Sequence, residues 1–97
     1  MDNLNPIPDF DVSQLSALEL HRLGVTVAQV RAAYVAPVVI IEPNASFPDV
    51  WRVLGFTDKG RFIFVALRYD DRTGKLAALG VQVADDLAEL RYYLCRS

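Results

Sequence analysis

Residues 50–83 read VWRVLGFTDKGRFIFVALRYDDRTGKLAALGVQV. Three runs of apolar and β-favouring residues, 51–56, 61–69 and 76–83, are separated by the polar segments TDKG at 57–60 and DDRTGK at 70–75. Such runs punctuated by turn residues predict a three-stranded antiparallel meander. Gly60 stands where a tight turn needs positive φ. In the middle run both alternating sets, Ile63/Val65/Leu67 and Phe62/Phe64/Ala66, are apolar. That strand is therefore expected at the centre, covered by a helix layer on each side or by a helix layer and a partner protein.

Working outward, VVII at 38–41 is four β-branched residues in a row and reads as a buried strand, followed by a proline-bearing loop over 42–49. Upstream lie two helix signatures. Ser16 and Glu19 have capping-box spacing for a helix running from about Ser13 or Ser16 to Leu23, with Leu15, Leu18 and Leu23 as its stripe and Gly24 as the left-handed stop. Thr26 and Gln29 repeat the box, and Val25 can staple onto Val30. Val27, Val30, Tyr34 and Val35 then continue a second short helix until Pro37 stops it. Phe10, Asp11 and Val12 suit a short edge strand. The two prolines within residues 1–9 predict an extended, mobile segment, leaving one domain over 10–97. After the meander, Asp85 is placed to cap a last helix with Leu87, Leu90 and Leu94 inward and Tyr92 and Tyr93 extending the stripe. The expectation is an α+β domain: two N-terminal helices, an antiparallel meander of about four strands, and a C-terminal helix.

With 97 residues there is material for a single core. A hydrophobic fraction of 53% argues against disorder and for an interface, since a chain this small cannot cover all its apolar faces. The longest apolar run, VAPVVII at 35–41, is too short to span a bilayer, and the polar, acidic start has no signal-peptide pattern. A soluble, cytoplasmic protein is expected. One cysteine, Cys95, makes no intrachain disulfide, and one histidine, His21, makes no metal cluster. No metal or cofactor is expected.

No phosphate-binding loop, zinc signature or nucleophile elbow is present. Asp70-Asp71 and Asp85-Asp86 read as turn polarity and helix caps, and His21 as a cation near a helix C-terminus. The net charge of −2 is unfavourable to nonspecific nucleic-acid binding. Arginine nevertheless outnumbers lysine eight to two, and Arg52, Arg61, Arg68 and Arg72 fall in or beside the meander. Arg52 and Arg68 can share one sheet face, with Arg61 and Lys59 at the turn end, as a phosphate site requires. The same arginines would equally pair with nearby aspartates and lay their stems over apolar surface. Trp51, Tyr69, Tyr92 and Tyr93 can stack on bases or belong to the core.

The sequence HRLGVTVAQV at 21–30, the strand APVVII, WRVLGFTDKGRFIFVAL at 51–67 and a closing helix ending in RYY resemble, in order and spacing, the BrnT-like toxins of bacterial type II toxin–antitoxin pairs, which have the RelE/ParE-type fold. The resemblance implies a small ribonuclease that cleaves RNA without metal and is neutralised by a DNA-binding antitoxin. Gly55, Thr57, Gly60 and Arg61 match the family's turn. On this reading Arg52 and Arg68 hold phosphate in the catalytic site, Tyr92 stacks or shuttles a proton, and Arg61, Lys59 and Trp51 contact RNA. Two positions depart from the pattern. Val50 stands where active relatives usually carry an arginine, and Gly80-Val81-Gln82 where the family often reads Ser-Ala-Arg. Neutral Gln82 cannot supply charge stabilisation worth about 3 kcal/mol. The competing expectation is a non-catalytic protein-interaction module that kept the toxin fold, and self-association through the doubly apolar strand is a third.

Overall fold

The computed structural model describes residues 10–95; the segment 1–9, expected to be extended, lies outside them. The elements run β1 (Phe10–Asp11), α1 (Ala17–Leu23), α2 (Val27–Val35), β2 (Val39–Ile41), β3 (Val50–Phe56), β4 (Phe62–Asp70), β5 (Lys75–Val83) and α3 (Leu87–Leu94). They build one α+β unit around a five-stranded sheet of order β1-β5-β4-β3-β2. β2 to β5 are antiparallel throughout and β4 is central, as the doubly apolar run predicts. The edge strand expected at residues 10–12 forms as β1, but it joins parallel to β5, with Phe10 opposite Leu76, so the sheet is five-stranded and mixed rather than an antiparallel meander of about four strands.

Helices lie on both faces. α1 and α2 cover one, where Leu20, Val25, Val30 and Ala33 pack with Val53, Ile63, Val65, Leu67 and Ala78. α3 covers part of the other, where Leu90 packs with Leu54, Phe64 and Ala84, flanked by Tyr93 and Leu94. Both apolar sets of β4 thus find cover within the chain over much of its length.

The helix ends follow their sequence signals. Ser16 caps α1 by accepting from the Glu19 N–H at 3.2 Å, and Gly24 ends it at φ 72°. At α2 the box is complete: the Gln29 N–H donates to Thr26 Oγ1 and the Thr26 N–H to Gln29 Oε1. α3 is capped by Asp86, one residue after the expected Asp85, its carboxylate accepting from the N–H groups of Ala88 and Glu89.

Three apolar assignments are corrected. Leu18 is 65% exposed and Leu20 is the buried leucine of α1, because Leu15 precedes the helix and the inward face is set by Leu20 and Leu23. Leu87 is 75% exposed, since it opens α3 and only the later turns reach the sheet. The VVII strand is an outer strand rather than a buried one: β2 pairs with β3 alone and Ile40 is mostly exposed.

α2 lies so close to β3 that a Cβ on Gly55 would meet Ala33, its Cα at 2.7 Å. The β3–β4 turn fastens to the α1–α2 corner. Arg61 Nη2 donates to the Leu23 carbonyl at 2.8 Å and Nη1 to the Gly24 carbonyl at 3.5 Å. Gln29, buried by the cap, donates its Nε2 to Asp58 Oδ1 at 2.8 Å. Inside the turn, buried Thr57 accepts from the N–H groups of Lys59 and Arg61.

Candidate functional site

Strand parity decides which predicted residues can act together. Arg52 lies opposite Ala66 and Arg68 opposite Val50, so both arginines emerge on the α3 face as diagonal neighbours. Trp51 pairs with Leu67 and faces the other way, among the residues of the α1–α2 side. It lines an apolar groove of about 260 Å³ with Tyr34, Pro37, Ile40 and Leu76. Lys59 and Arg61 sit at the opposite end of β4 from Arg68, seven residues and roughly 23 Å of strand away. One phosphate site therefore cannot collect all six predicted residues.

The contacts of each guanidinium differ. Arg61 is committed to the carbonyl oxygens that end α1, where a cation complements the helix dipole. Arg68 Nε lies 3.4 Å from Asp49 Oδ2, and both side chains are more than half exposed. Arg52 Nη2 donates to the Tyr93 hydroxyl at 2.8 Å, and its Cζ stands 5.5 Å from the Phe64 ring centroid and 5.6 Å from that of Tyr93. Among the described residues no carboxylate pairs with Arg52. Tyr92 is exposed and packs edge-on against Tyr93, 5.1 Å between centroids. The tyrosine that reaches Arg52 is thus Tyr93.

Sequence reasoning missed the Arg52–Tyr93 contact because it spans forty-one residues and two elements. The Gln29–Asp58 link had a partial signal. A capping-box glutamine uses its oxygen on the helix start and leaves its amide NH₂ for a second partner.

Beside Arg52 the sheet face is open, forming a groove of about 230 Å³ lined by Arg52, Phe64, Ala66, Gly80, Val81 and Gln82. Small residues at 66 and 80, directly paired across β4 and β5, keep its floor low. A second groove at the β4–β5 hairpin, about 280 Å³, mixes Arg68 and Arg72 with Asp70 and Asp71, so its charges largely compensate one another. No group of three or more histidine, cysteine, aspartate or glutamate side chains able to hold a metal occurs among the described residues. No helix of the described residues is long and apolar enough to cross a membrane. The chemistry on offer is electrostatic and hydrogen-bonding: one guanidinium beside two aromatic rings, with a neutral amide across the floor. No family model, curated protein or solved structure matches the chain.

Proposed function

We propose that this chain is a toxin-type component of a bacterial toxin–antitoxin pair, with a RelE/ParE-like domain, that has given up RNA cleavage and acts by binding its partner protein. The reading rests on where the arginines go. Arg61 holds the helix corner, Arg68 faces Asp49, and Arg52 leans on Tyr93 and Phe64. An in-line transfer through a dianionic transition state needs several cations converging on one phosphorus. Here two of the three are already occupied, and Gln82, on the same face opposite Phe64, adds no charge. The open half of the α3 face then serves as a protein-binding surface.

The test is incubation of the purified protein with a mixed single-stranded RNA, beside Arg52→Ala and Arg68→Ala. The expected result is no cleavage above buffer in any sample. Cleavage by the unmodified chain that disappears in both variants would overturn the proposal.

That outcome would instead establish the second reading, a metal-independent ribonuclease. It is favoured by one observation: Arg52, with no acidic partner among the described residues, shares its face with Arg68.

A further inference from the structure

We infer that the groove beside Arg52 is a clamp for a carboxylate, presented by an acidic residue flanked by apolar ones in a partner protein. The inference rests on the protein-binding reading above and names the chemistry that the partner brings.

Arg52 comes from β3, and its guanidinium stands beside two touching rings of different elements, Phe64 of β4 and Tyr93 of α3. Two ring contacts and one hydroxyl hold it in place without neutralising its charge. Arg22, Arg68 and Arg72 each have a carboxylate within 4 Å, whereas Arg52, half-buried, has none among the described residues. A preorganised fork with unused N–H groups is suited to bidentate pairing with a planar oxyanion.

The surroundings choose among oxyanions. Phe64, Ala66, Gly80 and Val81 give the groove an apolar lining, and the Gln82 amide supplies a second donor of no charge. A run of RNA carries one charge per nucleotide and needs a row of cations. The other arginine that β3 and β4 place on this face, Arg68, already faces Asp49 at 3.4 Å. One cation, one amide and an apolar lining match one carboxylate set between apolar side chains. Gly80 leaves the approach open, since a Cβ there would meet nothing within 4 Å.

The test is an NMR titration of the full chain, following the Arg52 Nε–Hε and Gln82 side-chain amide signals. The probes are the blocked tripeptide Leu-Glu-Leu, its Leu-Gln-Leu counterpart and a ribodinucleotide with one phosphodiester. The expected result is a saturable shift of both signals with Leu-Glu-Leu, weaker by at least about tenfold with Leu-Gln-Leu and with the dinucleotide. Arg52→Lys, which keeps the charge and loses the fork, should weaken the peptide's effect on the Gln82 signals. Arg52→Gln should abolish it, with the remaining amide spectrum showing that the fold is intact. No saturable shift, or an equal one with Leu-Gln-Leu, would overturn the clamp, and tighter binding of the dinucleotide would overturn it in favour of a phosphate site. RNA cleavage by the same sample would instead sink the protein-binding reading, so the two failures are told apart.

Discussion

At Gly55 the absent side chain is what lets α2 reach β3. A methyl group there would collide with Ala33, whose own backbone is in the way, so Gly55→Ala should cost about 1–3 kcal/mol in urea unfolding as an overpacked contact. Gly24 acts chiefly through its φ of 72°, with a Cβ there also 3.0 Å from Arg61 Nη1, and Gly24→Ala should cost about 1 kcal/mol. The Asp11 carboxyl lies below its ordinary value, first because it accepts from the Ser13 backbone N–H at 2.9 Å and then from the Ser13 side chain, against some desolvation, with the charge of Lys75 adding a smaller push downward. A depressed carboxyl stabilises the fold above its unfolded pKa, and that contribution is lost as pH falls through the lower folded value. The stability difference between the unmodified chain and Asp11→Asn, measured by thermal unfolding, should therefore shrink as pH drops from about 5 to below 3. At this scale Gly24 was legible in the sequence because a helix stop has a local signature. The tight approach at Gly55 was not, since a glycine in a strand does not announce which neighbour it admits.

Among the elements, α3 is held to the sheet by a short list of contacts. Leu90 is buried over Leu54 and Phe64, and the Tyr93 hydroxyl accepts from Arg52. Tyr93→Phe removes only that acceptor and should loosen α3 by about 1 kcal/mol. Amide hydrogen exchange checks it: amides of residues 90–94 should exchange about fivefold faster, while those of β4 stay unchanged. Elements whose signals are local were legible. The Thr26–Gln29 box gave the start of α2, and the DKG and DRTG turns gave the hairpins between which β4 is central. Elements whose environment is set from afar were misjudged. VVII at 38–41 has the composition of a buried strand, but strand order places it at an edge, and strand order is not written in composition. Leu87 matched the helical period of Leu90 and Leu94, yet it lies at the helix start, beyond the sheet it was expected to cover.

For the whole molecule, two stretches distant in sequence, 21–30 and 55–61, meet in space. His21 to Val30 forms the α1–α2 corner, the GFTDKGR stretch forms the turn beneath it, and Arg61, Gln29 and Asp58 fasten the two. Arg61, Gln29 and Asp58 thus have a structural reason to be present. Of the six predicted site residues, sequence parity correctly placed Arg52 and Arg68 on one face, and it also puts Trp51 on the other. What parity could not supply was the partner of each guanidinium, which depends on tertiary contacts such as that with Tyr93. The meander's arginines are bound into the scaffold to different degrees, and an equilibrium urea-unfolding series of Arg61→Ala, Arg52→Ala and Arg68→Ala measures how far. The expected order of destabilisation is Arg61→Ala, about 1–3 kcal/mol for its charged donors to two carbonyls, then Arg52→Ala at about 1 kcal/mol, with Arg68→Ala within about 0.5 kcal/mol of the unmodified chain because its ion pair is exposed. Three variants as stable as the unmodified chain, or more stable, would contradict it and mark these arginines as residues kept for a site rather than for the fold.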